Sequence, residues 1–121
     1  MAVQRVLWVD RTSGTAVRRD AADIPAMLAD PSGWLWLDVP EPDEQTGVLL
    51  SEAFGAHPAA VADVLERNHV PRLHVYGHTL LLILQRPLAG EGGHIHYLEF
   101  DQLVGPGFLV TTHGPRNPVV P

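Results

Sequence analysis

Residues 34–39, WLWLDV, are apolar on both sides of an extended chain except at one carboxylate, Asp38. A half-covered strand alternates apolar with polar residues, so an unbroken run of this kind reads as a central strand covered on both faces. The run is bracketed by DPSG at 30–33 and by Pro40 and Pro42, which gives it sharp ends.

Working outward toward the N-terminus, residues 3–9 form a Val-, Leu- and Trp-rich strand. RTSG at 11–14 is a turn, and TAVRR at 15–19 returns as a short second strand. Asp23 is placed to cap a short helix, IPAMLA, with Pro25 in its first turn. Toward the C-terminus, Pro40 and Pro42 are expected to open a second helix. Its first turn carries Glu41, Asp43 and Glu44, the charge sign that suits a helix N-terminus. Val48, Leu49, Leu50, Ala53 and Phe54 share a broad apolar face, and Gly55 suits the position just past the helix end. His57 and Pro58 start a third helix running to Asn68, with Val61, Val64 and Leu65 as its apolar stripe. Asp63 falls off that stripe, about 100° of helical rotation from Val64. After Pro71 the pattern becomes extended: 72–76, 79–86, 94–104 and 108–113 read as strands, with 88–93 as a loop. About seven strands and three helices in mixed order give an α/β fold, helices packed on a mixed sheet, in a single domain over 1–121.

Composition narrows the chemistry. The 121 residues include no cysteine, which excludes disulfides, thiolate metal sites and cysteine nucleophiles. All eight basic residues are arginine, so lysine-dependent phosphate loops and Schiff bases are excluded too. A net charge of −6 without a basic cluster argues against nucleic acid or anionic lipid as a partner. No apolar run approaches the ~20 residues of a membrane helix and no leader pattern stands at the N-terminus, so the chain is expected to be soluble.

Catalytic motifs are scarce, and the chain is not expected to be an enzyme. Neither GEGG nor GPG sits between a strand and a helix as a phosphate cradle does. Asp38, closing a buried strand, is either a structural carboxylate or an acid–base group working with a histidine. His94 and His96 are two apart in a strand and share a face, an arrangement that holds a transition metal if a third ligand converges. Asp63, on spacing alone, is the solvated edge of its helix.

A resemblance carries the reading further. WLWLDVPEPDEQTGVLLSEAFGAHPAAVADVLERNHVPRLHVYGHTLLLIL at 34–84 and HYLEFDQLVGPGFLVTTHG at 96–114 resemble the cytoplasmic N-terminal domain of CorA-type magnesium transporters. That family has a W-I-D-L strand, then F-G-I-H-P-L-A-L-E-D, a Q-R-P-K step and an F-L-V-T hairpin. The resemblance implies an α/β/α sandwich acting as a regulatory, metal-sensing domain of a Mg²⁺ (or Co²⁺) transporter at the cytoplasmic face of the cell membrane. Stalk and membrane helices are expected to lie outside this chain. It implies a homo-pentamer in the full transporter, with the fragment a monomer or weak dimer. It also implies that Asp63 faces a divalent ion together with an acidic residue on a neighbour's stalk. Two carboxylates about 6 Å apart repel by about 3 kcal/mol at an effective dielectric near 20, and an intervening ion reverses that. Asp63 is accordingly expected to stand exposed, binding Mg²⁺ weakly or not at all in the fragment. Two departures matter. Ala62 replaces the motif's glutamate, and His74 and His78 stand where acidic residues are usual, which admits a related zinc transporter. The remaining alternative is a free-standing α/β protein-interaction module.

Overall fold

The computed structural model describes residues 4–66 and 70–113, with the side chain of His96 left out. The strands are β1 (Arg5–Asp10), β2 (Ala16–Arg18), β3 (Gly33–Asp38), β4 (Arg72–Tyr76), β5 (Thr79–Ala89), β6 (Ile95–Gly105) and β7 (Phe108–Thr112). The helices are α1 (Ile24–Leu28), α2 (Glu44–Glu52) and α3 (Pro58–Leu65). The strands form one mixed sheet in the order β2-β1-β3-β7-β6-β5-β4. Every neighbouring pair is antiparallel except β3–β7, which is parallel and joins the two antiparallel halves. The α/β class, the strand number and the helix number read from the sequence are those observed.

WLWLDV is central, between β1 and β7, and its two faces differ. Leu35 and Leu37 are fully buried in the cluster that also takes Ile24 and Met27 of α1, Leu50 of α2, and Ala60 and Val64 of α3. Register places Val6, Phe108, Val110, Leu103, Leu81 and Ile83 on that same helix-covered face. Burying side chains of this size contributes roughly 1.5–3 kcal/mol each, so this cluster is the main source of stability. Trp34 and Trp36 lie on the opposite face and are only half-buried.

Three boundaries differ from expectation, each for a local reason. The second helix starts at Glu44 rather than at Pro40 or Pro42. Asp43 caps it: its side chain accepts from Thr46 N at 3.0 Å, and its own N–H donates to Thr46 Oγ1 at 3.1 Å. This reciprocal pair satisfies two backbone donors and holds Asp43 extended. Its buried face is narrower than expected, with Val48 53% exposed. The third helix, capped by His57 Nδ1 accepting from Ala59 N at 3.0 Å, has ended by Glu66, whose φ/ψ of −90°/131° is extended. The expected continuation to Asn68 falls partly outside the described residues. Its buried positions are Ala60 and Val64, while Val61 and Leu65 are half-buried and lie beside Gly47 of α2. Strand β5 continues through Pro87 to Ala89, taking in the first two residues of the expected 88–93 loop. Pairing with β4 stops at Ile83, so the outer edge of β5 beyond it has no ladder partner among the described residues. A proline is tolerated on such an edge.

Past Ile83 and Asp101 the β5–β6 hairpin, among the described residues, pairs only with itself, from Leu84↔Phe100 to Ala89↔Ile95, and forms a two-stranded ribbon. Leu84, Leu88, Ile95 and Tyr97 on this ribbon are exposed, as are Leu73 and Val75 on the edge strand β4.

Candidate functional site

Two carboxylates singled out in the sequence lie in contrasting settings. Asp38 ends β3 on the face away from the helices and is 3% exposed. Parallel pairing sets Asp38 opposite Thr111, and antiparallel pairing sets it opposite Arg5. Thr111 Oγ1 donates to Asp38 Oδ1 at 2.6 Å, Trp36 Nε1 donates to Thr111 Oγ1 at 2.9 Å, and Arg5 reaches Oδ2 at 3.3 Å. His113, 6% exposed, brings its Nε2 within 3.1 Å of the carboxylate. Several donors converging on one buried carboxylate compensate its loss of water.

An aspartate, a histidine and a threonine in one cluster invite comparison with a nucleophilic relay, but the connections are wrong for it. In such a relay the hydroxyl gives its proton to the histidine, which the carboxylate orients. Here the Thr111 hydroxyl and the His113 ring both bond to Asp38, and Thr111 is 1% exposed, beyond the reach of a substrate. The cluster ties β1, β3 and the end of β7 together. His113 went unsingled in the sequence because its partner is 75 residues away, and no local signal says that β7 lies beside β3. Glu99 and Asp101, buried in the middle of β6, were also missed. The alternating pattern of that strand disguised them as solvent-facing.

Asp63 is the second setting. The expectation that it stands exposed is corrected: its side chain is 19% exposed and bonded to Arg72 Nη2 at 3.0 Å. Asp63 sits on α3 and Arg72 opens β4, so the pair spans the junction between the helix layer and the edge strand. Arg72 Nε is buried without a hydrogen-bond partner, so packing as well as charge fixes the head group. The Ala62 beside Asp63 supplies no second carboxylate.

The histidines do not assemble. His94 follows a short 3-10 turn and precedes β6, exposed, with its side chain near Gly92. His96 belongs to β6 by its backbone, and its side chain is outside the described residues. His57 and His74 instead stack on Tyr76, with ring centroids 4.9 and 6.0 Å apart. Among the described residues no three His, Asp or Glu side chains group as a metal site. A carboxylate already bonded to a guanidinium, as Asp63 is to Arg72, does not fit a divalent ion. A groove of about 360 Å³ lies where Arg11, Trp34, Gln102, Phe108 and Leu109 meet. The Arg11 Nη2 group there is already bonded to Pro106 O at 3.2 Å.

Comparison with known proteins settles the family. Residues 31–121 match the family described as CorA-like Mg²⁺ transporter protein, three quarters of the chain. The chain belongs to this family. No curated protein matches it in sequence. Its fold is similar to that of the complete CorA magnesium transporter from Methanocaldococcus jannaschii, at 15% identity and a TM-score of 0.68 over 96% of this chain. The full-length CmaX protein is similar at 18% identity and a TM-score of 0.73 over 99% of this chain. The cytoplasmic domain of ZntB from Vibrio parahaemolyticus is similar at 18% identity and a TM-score of 0.68 over 95%. The chain spans 33% and 36% of the two full-length proteins and 46% of the ZntB domain structure. Among the described residues no helix is long and apolar enough to cross a membrane.

Proposed function

We propose that this chain is the soluble regulatory domain of a CorA-like divalent-cation transporter, without chemistry of its own. Mg²⁺ is the cargo and the sensed ion in this reading, with Co²⁺ as an accompanying substrate. The observation that carries it is the family match across 31–121, joined to a fold shared over nearly the whole chain with a CorA transporter. The setting of Asp38 supports the non-enzymatic part, because its donors are committed to holding strands together.

The exposed apolar side chains of the β5–β6 ribbon and β4 suit a domain that works inside a larger assembly. Homo-oligomerisation of the parent protein, at the cytoplasmic face of the membrane, follows from this reading. The isolated chain is then a monomer or weak dimer.

The test is ion flux through the parent transporter in vesicles, with and without residues 1–113, as internal Mg²⁺ is raised. The regulatory reading expects flux through the deleted protein to persist at internal Mg²⁺ that stops the intact one. Equal inhibition of both would remove it. A transporter that carries Zn²⁺ and not Mg²⁺ would move the assignment to the zinc branch.

A further inference from the structure

Asp63 is the carboxylate for which an ion partner is expected, yet an arginine already holds it. We infer that Arg72 is a built-in counter-cation: its guanidinium takes the place at Asp63 that a divalent ion would take, so such an ion reaches Asp63 only by displacing it. This deepens the regulatory reading above and rests on it for its meaning in the transporter. The ion pair itself stands on the geometry of this chain.

Three observations carry the inference. The contact is short, 3.0 Å from Nη2 to Oδ2, and the carboxylate keeps only 19% of its side-chain surface exposed. A charge-assisted bond in such a half-buried position is screened less than one on the open surface. The arginine is also tethered. Its backbone pairs with Ile83 at the start of β4, and its Nε is buried, so the head group is delivered to α3 by the sheet edge. Finally, among the described residues no group of three His, Asp or Glu side chains gathers at Asp63 to outbid a guanidinium for an incoming ion. A hydrated Mg²⁺ gives up water reluctantly and gains little from one carboxylate.

Arg72 is therefore a specificity-determining residue for any cation response at this edge. A response would require a second acidic group from outside the chain, or a shift of β4 that withdraws the arginine. Either event would couple ion binding to the packing of α3 on the edge strand.

The test uses Mn²⁺ as the probe, because its paramagnetism broadens nearby NMR signals even when binding is weak. In the 121-residue chain, millimolar Mn²⁺ should leave the backbone amides of Val61, Ala62 and Val64 no more broadened than other exposed amides. In Arg72→Gln those amides should broaden selectively, with Mn²⁺ bound roughly tenfold more tightly, and the effect should vanish in Arg72→Gln with Asp63→Asn. Selective broadening in the wild type equal to that in Arg72→Gln would overturn the inference, as would no selective broadening in Arg72→Gln. Should that variant not fold, the guanidinium signals of Arg72 in the wild type decide. They should stay unmoved by millimolar Mg²⁺, and a shift would show displacement and overturn the idea. In the parent transporter, Arg72→Gln should lower the internal Mg²⁺ needed for inhibition. An unchanged threshold beside a positive Mn²⁺ result would sink the regulatory reading and leave the counter-cation standing.

Discussion

Asp38 in the middle of the sheet and Asp63 at its edge each face an arginine, but only one of them is committed. Asp38 receives Thr111, His113 and Arg5 from strands on either side of β3 and is 3% exposed. Asp63 keeps a fifth of its side chain in solvent and meets an arginine from an edge strand. The contrast follows from position. A central strand has neighbours on both sides that can deliver donors by register, whereas the edge delivers one flank and leaves water on the other. A carboxylate of the first kind holds a fold together. One of the second kind can exchange partners, and that is where a response to ions can be built.

The largest effect should come from removing the central carboxylate. Asp38→Ala is expected to cost about 3–5 kcal/mol, because it strands the buried groups that converge on it. Urea unfolding measures this, and a cost no greater than that of Asp63→Ala would break the contrast outright. Leu65→Ala should be intermediate, about 1–2 kcal/mol, since the side chain lies half-buried beside Gly47 and is not in the sealed core. A loss near that of a fully buried leucine would mean that α3 is anchored more deeply than its exposure indicates. Asp63→Ala should cost about 0.5–1 kcal/mol, most of it absent when Arg72 is already replaced. A double-mutant cycle by thermal melts sharpens the edge half of the comparison, and a coupling near zero would show the pair to be idle.

Protonation of two exposed turn aspartates should have the smallest effect. Asp10 has its pKa lowered from 3.8, first by the N–H of Ser13 and then by that of Thr12. Asp30 is lowered too, chiefly by the Ser32 hydroxyl. A depressed folded-state pKa contributes stability that is complete above the unfolded value and is lost as pH falls through the folded one. Both groups are exposed turn residues, so the loss belongs below about pH 3.8 and should be slight. Asp10→Asn should flatten that part of the stability curve without changing it near neutrality.

Much of this architecture was legible in the sequence, and the reason is local. The strand at 34–39, the β4–β5 turn and the cap at His57 each announce themselves within a few residues. The start of α2 was misplaced because Pro40 and Pro42 are strong signals, while Asp43 and Thr46 form their box with the usual residue types reversed. Partners were the harder part. Asp38 and His113 meet only because β7 inserts beside β3, and no spacing along the chain encodes that choice. Arg72 is only nine residues from Asp63, yet a helix end and Pro71 lie between them, and the angle of that corner is set by packing. The resemblance marks Asp63 as a position of interest, and the ion pair with Arg72 is what holds it.

The parallel pairing of β3 with β7 bears on how the chain is made. As the polypeptide leaves the ribosome, β1 to β3 and β4 to β6 can each assemble as antiparallel units, but the strand that unites them emerges last of the seven. Until it does, the inner edges of β3 and β6 are bare, and Asp38 waits for Thr111, 73 residues downstream. Nascent chains stalled before Phe108 should therefore carry two unjoined half-sheets with sticky borders, the stage at which this domain most needs a chaperone.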